Sequence, residues 1–422
     1  MNKSIYLTLG IHNHQPVGNF PHIFDMAYEK SYLPFVELLM DYPEIKVSLH
    51  YTGPLWDYFF EKHPEFIDRL KILIDRGQVE MMSGAYYEPI LPNIPDRDKI
   101  QQIRKMNEVV KANTGYTPRG MWLAERVWEP QLCRPIEEAG IKYTVLDESH
   151  FKYSGITGDE IFGYYTSEEE GHSVKLFPIS YDLRHFIPFH EPHETIDLLE
   201  SWATGSGDRL ATFADDGEKF GVWPGTYKTC YEEKWLERFF NMLKENMSWI
   251  KLVTFSEYME KYPPLDIVYL TCASYFEMME WALPVKTAKE FRKVQQEIKQ
   301  SNRWKEYEPF LQGGFWRNFL RKYPESNNMQ KRALSISNKI WRMKGKDVEK
   351  ARNELWQGQC NCAYWHGVFG GLYLPHLRSS VYHHLIQAEN IADREINKGK
   401  PYAEIDIDDY DCDAYDEIIL ST

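Results

Sequence analysis

Glu125 is flanked by two tryptophans, Trp122 and Trp128, where the sequence changes from a strand pattern to a helix pattern. Residues 120–123 have the pattern of a short buried strand, and Pro130 favours the start of a helix a few residues later. In β/α barrels, catalytic side chains come from the residues that follow the strands. Glu125 is therefore a candidate catalytic carboxylate. The alternative is an ordinary ion pair with the arginine that follows it.

A second strand-like run, residues 210–213, leads into the adjacent acids Asp215 and Asp216. Breaking a glycosidic bond requires one group that protonates the leaving oxygen and another that meets the positive charge developing at the anomeric carbon. Glu125 and one of the two aspartates could supply this pair. The sequence leaves the choice between Asp215 and Asp216 open, because one of them could cap the following turn while the other points into the cleft.

His12 and His14 lie one residue apart, so both could face the same side of an extended strand end. A metal site is conceivable there. However, the sequence contains no pair of histidines four residues apart, and His190 and His193 lie in a separate loop segment. We favour hydrogen-bonding roles over zinc, and expect neither a metal nor a cofactor.

The composition favours a neutral ligand. Lys and Arg number 49 against 63 Asp and Glu, which gives a net charge of -14 and argues against nucleic acid or an anionic membrane surface as the partner. The chain contains 13 Trp, 28 Tyr and 22 Phe, and aromatic rings match the C–H face of a sugar. The six cysteines follow no framework pattern, and we find no signal peptide or membrane-spanning run, so we expect reduced thiols in a cytoplasmic protein.

Apolar runs of strand length alternate with amphipathic segments of helix length over the first 260 or so residues, which predicts an α/β fold with parallel strands. The seven predicted strands cover residues 5–11, 46–50, 79–82, 120–123, 143–146, 210–213 and 251–255. Seven units rather than eight predict an incomplete (β/α)7 barrel. Residues 162–179 are interpreted as a hairpin inserted after the fifth strand.

From residue 265 onward the periodicity becomes helical, which predicts a helical bundle domain over 265–400 after a catalytic barrel over 1–264. Two aromatic and glycine-rich segments, 313–317 and 359–371, interrupt it and are expected to face the barrel cleft. The acidic segment 401–422 ends on a strand-like run. This run either pairs with an earlier edge or begins a further β-sandwich domain.

Five segments of the chain resemble, in order and spacing, the motifs of glycoside hydrolase family 57, and most closely its branch of 4-α-glucanotransferases and α-amylases. The five segments are HNHQP (12–16), GQVE (77–80), WLAERV (122–127), DDGEKFGVW (215–223) and AYWHG (363–367). The resemblance implies a retaining reaction on α-1,4-glucans without a metal. It also implies that Glu125 is the nucleophile and Asp216 the general acid/base.

The same resemblance implies a set of sugar-binding residues. They are His12, His14, Glu80, Trp122, Asp215, Trp223, Tyr364, Trp365 and His366. Cys362 departs from the motif, since some relatives carry Asp there. The expected partners are an α-glucan and, as an open question, a second copy of the chain. A 4-α-glucanotransferase is the first expectation and an α-amylase the second. A metal-dependent polysaccharide deacetylase and a non-catalytic glucan-binding protein are the alternatives of other classes.

Overall fold

The computed structural model describes residues 3–398 and 400–421, and its strands form two sheets and a terminal hairpin. The strands are β1 (Ile5–Asn13), β2 (Val47–Tyr51), β3 (Val79–Met81), β4 (Gly120–Met121), β5 (Tyr143–Asp147), β6 (Tyr165–Glu169), β7 (His172–Ile179), β8 (Leu210–Asp216), β9 (Ile250–Leu252), β10 (Glu404–Asp408) and β11 (Glu417–Ser421). The first sheet has the order β3-β2-β1-β8, and the second has the order β4-β5-β7-β6.

Hydrogen bonds join the two sheets at both edges. At one edge, Ser83 N–H donates to the carbonyl of Gly120 at 2.7 Å. At the other, Ser180 N–H donates to the carbonyl of Thr212 at 2.9 Å. Together with the parallel pairings of β1, β2, β3, β4, β5, β7 and β8, these bonds make a ring of seven parallel strands. The structure thus confirms the predicted seven-stranded β/α barrel.

One of the seven strands of this ring is not the strand that was predicted. The predicted seventh strand, residues 251–255, forms only the short strand β9, which pairs with the start of β1 at residues Ile5–Leu7. The ring position between β5 and β8 is taken by β7, the second strand of the predicted hairpin. β7 is therefore both the antiparallel partner of β6 and the parallel partner of β5, a role that its local turn signal does not reveal.

The inside of the ring is packed with aromatic side chains. Every residue of β1 and β2 is buried, as expected for parallel strands covered on both faces. Tyr143, Phe177 and Phe255 contact one another with ring centroids 4.9–5.4 Å apart. This packing closes the interior and leaves the carboxyl ends of the strands as the place for a site.

The helices that cover the ring follow its strands in sequence. They are α1 (Pro21–Ala27), α2 (Leu33–Asp41), α3 (Gly53–Lys62), α4 (Pro64–Asp75), α5 (Asp96–Thr114), α6 (Cys133–Glu138), α7 (Glu148–Lys152), α8 (Tyr181–Phe186), α9 (Pro192–Trp202), α10 (Trp235–Glu245) and α11 (Phe255–Lys261). Proline at the first turn starts several of them, since its missing N–H has no partner to lose there. Gly115, in the left-handed conformation with φ 76°, ends α5.

The later helices pack on the barrel rather than apart from it. They are α12 (Phe276–Ala282), α13 (Val285–Gln300), α14 (Trp304–Tyr307), α15 (Asn318–Lys322), α16 (Pro324–Trp341), α17 (Val348–Gly358) and α18 (Pro375–Ile396). Asn361 Nδ2 donates to the carbonyl of Glu88 at 2.7 Å, and Gln102 Nε2 donates to Gln359 Oε1 at 2.9 Å. These contacts bring the segment 359–371 to the barrel, while the division of the chain at residue 264 remains a prediction.

The acidic end of the chain forms an antiparallel hairpin, because β11 pairs with β10. Its strand-like run therefore pairs with the edge immediately before it. Among the helices in the described part of the chain, none is long and apolar enough to cross a bilayer.

Candidate active site

Glu125 lies on a tight turn directly after β4. Both Glu125 and Arg126 have left-handed backbone conformations, with φ of 51° and 50°. Such conformations cost free energy in residues with a side chain, and they are found at functional sites as well as in tight turns. The turn leaves the Glu125 carboxylate within 2.9 Å of the hydroxyl of Tyr275, which donates a hydrogen bond to Oε2. The strand-to-helix junction predicted from the sequence is thus present, in a strained form.

The electrostatic environment of Glu125 disfavours its charge. Burial raises the pKa of Glu125 to about 7, and the negative charges of Asp216 and Glu88 act in the same direction. The Arg126 guanidinium and the Tyr275 hydroxyl oppose this rise. A carboxyl group with such a pKa exchanges its proton in the pH range in which many enzymes work.

The Arg126 guanidinium stays close to the acids without forming an ion pair. It lies between two aromatic rings, 5.3 Å from that of Trp122 and 4.4 Å from that of Tyr275. Nε and Nη1 are buried and have no hydrogen-bond partner in the described part of the chain. The alternative in which Glu125 forms a simple ion pair with Arg126 is therefore not what the structure contains.

The two adjacent aspartates have different environments. Asp215 accepts from Lys219 Nζ at 2.5 Å and from Arg184 Nε at 3.3 Å. Although burial favours the neutral acid, these two cations hold the pKa of Asp215 well below its usual range. The pKa of Asp216 is raised, first by burial and then by the charge of Asp215. This contrast favours Asp216 over Asp215 as the aspartate that carries a proton.

His12 lies between the strand that carries Asp216 and the segment that carries Glu125. His12 on β1 is the parallel-register partner of Asp216, and its ring stacks on Trp122 with centroids 4.4 Å apart. Trp122 precedes Glu125 by three residues. The negative charge of Asp216 also raises the pKa of Glu125, which indicates that the two carboxylates lie within electrostatic range of each other.

His12 and His14 converge on Glu88, a residue that we did not single out in the sequence. Nε2 of His12 lies 3.1 Å from Oε1 of Glu88, and His14 forms an ion pair with Oε2. Burial works against a charged imidazole, but Glu88 outweighs it and raises the pKa of His14 to about 10. His14 Nε2 also contacts Cys362 Sγ at 3.1 Å, at the position that departs from the family motif.

The same three side chains, His12, His14 and Glu88, have ligand atoms within 4.8 Å of one another and could hold a metal ion. Their donor set of two imidazoles and one carboxylate suits a transition metal. The observed ion pair uses the same atoms, so the hydrogen-bonding and metal-binding interpretations exclude each other. Asp409, Asp411 and Asp413 form a second acidic group in the β10–β11 turn.

Two of the predicted sugar-binding residues lie inside the protein. Glu80 is buried and accepts hydrogen bonds from Ser48 Oγ at 3.2 Å and Ser256 Oγ at 2.5 Å. Tyr364 is also buried, and its hydroxyl donates to the carbonyl of Gly358 at 2.6 Å. The structure therefore does not bring these two side chains to the cluster around Glu125. For both, the contacts are those of residues that hold elements together.

His14, Trp223, Trp365 and His366 are partly exposed, whereas His12, Trp122 and Asp215 are buried like Glu80 and Tyr364. Trp365 stacks on Trp281 at a centroid distance of 6.3 Å, and His366 Nδ1 lies 2.9 Å from the carbonyl of Gly370. Trp223 contacts Phe369, which belongs to the segment 359–371, at 5.9 Å. Through Phe369, that segment approaches the residues that follow β8. That it faces a substrate cleft remains a prediction.

The seven-stranded ring defines a β/α-barrel protein, in which Glu125 follows β4 and Asp216 ends β8. The profile described as "Glycosyl hydrolase family 57" matches residues 8–271, and the profile "Alpha-amylase/4-alpha-glucanotransferase, middle domain" matches residues 314–392. This chain belongs to glycosyl hydrolase family 57.

Several characterised proteins are similar over nearly the whole chain. "Alpha-amylase 1" of Dictyoglomus thermophilum is 49% identical over 424 residues, which cover 100% of this chain and 61% of that protein. The "4-alpha-glucanotransferase" of Thermococcus litoralis is 46% identical over 387 residues, covering 92% and 58%. The crystal structure of the Thermococcus litoralis enzyme matches with a TM-score of 0.94 and 44% identity, covering 100% of this chain and 64% of that chain. This chain spans about three fifths of the length of these relatives.

Proposed function

We propose that this chain acts on α-1,4-linked glucans by a double displacement with two carboxylates, as a 4-α-glucanotransferase. The observation that carries the proposal is the contrast between the two aspartates beside Glu125: Asp215 is neutralised by two cations, whereas Asp216 can hold a proton. Relatives named for this activity are 45–46% identical to the chain, which supports the substrate class.

In the first step, a Glu125 oxygen attacks the anomeric carbon of a glucose unit and forms an ester bond to it. The bond between that carbon and the glycosidic oxygen breaks, and Asp216 gives its proton to the departing oxygen. In the second step, Asp216 takes a proton from the hydroxyl of an acceptor, whose oxygen attacks the same carbon. The ester bond breaks, Glu125 regains its charge, and the anomeric configuration is retained.

The proton distribution needed for this reaction is Glu125 ionised and Asp216 protonated. The charge of Asp216 raises the pKa of Glu125, whereas the pKa of Asp216 is raised by burial and by the charge of Asp215. The raised pKa values of Glu125 and Asp216 are each compatible with carrying the proton. The individual roles therefore rest on the motif resemblance. A positive charge developing at the anomeric carbon next to Glu125 would favour its ionised form.

Transfer and hydrolysis differ only in the acceptor, because a sugar 4-hydroxyl yields a longer glucan and water yields hydrolysis. Hydrolysis is the second candidate function, because the relative with 49% identity is named an alpha-amylase. Incubation with maltotriose separates the two. A transferase is expected to give a ladder of longer oligosaccharides. If the products are only glucose and maltose, the chain is an amylase. Glu125→Gln serves as the inactive control.

Two rival classes make different predictions in the same assay. A metal-dependent deacetylase would use His12, His14 and Glu88 as ligands and would lose activity with a strong chelator. A non-catalytic binding protein would bind maltooligosaccharides without changing them. The cytoplasmic location, the absence of nucleic acid as a partner and the homodimer remain predictions. The same holds for the sugar contacts of His12, His14, Glu80, Trp122, Asp215, Trp223, Tyr364, Trp365 and His366.

A further inference from the structure

The rings of Phe189 and Phe369 both contact the ring of Trp223, which follows β8; Phe189 and Phe369 are exposed and Trp223 is partly exposed. The ring of Trp223 lies 6.2 Å from that of Phe189 and 5.9 Å from that of Phe369. The exposed fraction is 54% for Phe189 and 66% for Phe369. The rings come from three segments distant in sequence, so the cluster depends on the tertiary fold. A group of contacting aromatic side chains with this much exposure is typical of a binding surface rather than a core.

The cluster lies near the end of β8, the strand that carries Asp215 and Asp216. Lys219 Nζ is 5.1 Å from the centre of the Phe189 ring and 5.6 Å from that of Trp223. The same Nζ is 2.5 Å from Asp215 Oδ2, and Asp216 is the next residue. Glu125, in contrast, has Tyr275 as its hydroxyl neighbour. The Lys219 side chain therefore lies between two of the three rings and Asp215, the residue that precedes the proposed proton donor.

The location determines what the cluster could bind. In the proposed reaction, the proton donor faces the glycosidic oxygen, so the leaving sugar departs and the acceptor arrives on its side. The C–H face of a pyranose ring packs well on an aromatic ring, whereas a water molecule gains nothing from that contact. Aromatic rings at this position would favour a sugar acceptor over water.

We propose that Phe189 and Phe369, together with Trp223, form an acceptor-binding platform that directs the glycosyl group to a sugar rather than to water. This inference rests on the proposed function, because it concerns the second step of that reaction. It assigns to Phe189 and Phe369 a role in specificity: they hold the acceptor, and they do not touch the atoms that react.

The platform is tested by measuring the two substrates separately. Maltotriosyl fluoride is the donor, maltose is the varied acceptor, and fluoride release and the transfer product are measured together. We expect Phe189→Ala and Phe369→Ala each to raise the KM for maltose about fivefold or more, with a smaller change in the KM for the donor. The ratio of transfer to hydrolysis should fall to a similar extent. Phe369→Tyr, which keeps the ring, should restore both values.

The matched control is Phe310→Ala, which removes a phenylalanine that is 81% exposed and that makes no ring contact with this cluster among the described residues. Suppose that the parent protein makes the ladder of longer oligosaccharides. The platform is then overturned if the variants raise the KM for maltose and the KM for the donor equally, or if their effects are no larger than those of Phe310→Ala. If the parent makes no transfer product at all, the transferase proposal itself fails, and the platform fails with it.

Discussion

The Tyr275 hydroxyl donates a hydrogen bond of 2.9 Å to Oε2 of Glu125, and the Tyr275 ring lies 4.4 Å from the Arg126 guanidinium. The phenol therefore stabilises the ionised form of a carboxylate that burial otherwise pushes toward its neutral form. Tyr275 is also held beside the cation that acts on the same carboxylate. One residue from outside the motifs thus positions the proposed nucleophile and adjusts its charge.

Tyr275→Phe should raise the pKa of Glu125 above its value of about 7, because the variant loses a hydrogen bond that favours the ionised form. A hydrogen bond to a charged group is worth about 1.5–3 kcal/mol, so the shift should be roughly one to two pH units. The acid limb of kcat/KM should move to higher pH. Tyr42→Phe, which removes a hydroxyl bonded to Asn241 at the surface, is the control. An acid limb that does not move would show that Tyr275 has no effect on Glu125.

Asp216→Asn should shift the Glu125 titration in the opposite direction. The variant removes a negative charge that raises the pKa of Glu125, so that pKa should fall below about 7. With a glycosyl fluoride donor, whose leaving group needs no proton, the acid limb should therefore move to lower pH. With maltotriose, which needs the acid, the rate should fall about 10²–10⁴-fold. An equal loss with both donors would contradict the role of Asp216 as the acid.

Arg184→Met should destabilise the fold strongly. Arg184 donates to Asp147 Oδ2 at 2.8 Å and to Asp215 Oδ2 at 3.3 Å, so its loss removes a cation from two buried carboxylates. Breaking a buried ion pair costs about 3–5 kcal/mol of unfolding free energy. The control is Arg238→Ala, which breaks an exposed pair with Glu191 and should cost about 1 kcal/mol or less. Urea unfolding at neutral pH measures both.

The Arg184 effect should also depend on pH. Arg184 holds the pKa of both Asp147 and Asp215 below its usual range, so their contribution to stability is present above the usual aspartate pKa of about 3.9 and is lost as the pH falls. The difference in unfolding free energy between parent and Arg184→Met should therefore shrink in acid. A difference that grows as the pH falls would have the wrong sign for this explanation.

Glu88→Gln should lower the pKa of His14. The carboxylate of Glu88 is what raises the pKa of His14 to about 10 against the effect of burial. Without it, the pKa should fall toward or below the ordinary histidine value of about 6.5. NMR titration of the His14 ring measures this, with His14→Gln for assignment. If the pKa of His14 stays near about 10 in the variant, the ion pair is not its cause.

Much of the barrel could be predicted because a parallel strand that is covered on both faces appears in the sequence as a continuous apolar run. β1 and β2 are buried on both faces, so they appear as apolar runs. β7 was interpreted only as a hairpin strand because the turn before it signals the antiparallel partner β6. Its parallel pairing with β5 depends on the tertiary fold, and Pro178 within the strand argues against an internal position.

The site residues that directly follow strands could be predicted from the sequence. The residues that contact them from distant parts of the chain could not. Glu125 and the pair Asp215–Asp216 follow β4 and end β8, so the strand pattern found them. The difference between the two aspartates depends on Arg184, which α8 supplies from 31 residues away. Tyr275 lies in an irregular segment before α12, where no periodicity marks a functional side chain.

The most direct test of the central claim is to trap the ester bond to Glu125. A maltosyl fluoride bearing a further fluorine at the 5-position of its reacting ring slows the second step, so the intact protein should gain the mass of one glycosyl group. The peptide that carries this mass should contain residues 122–130, and Glu125→Gln should gain nothing. Labelling of Asp216, or labelling that persists unchanged in Glu125→Gln, would contradict the account.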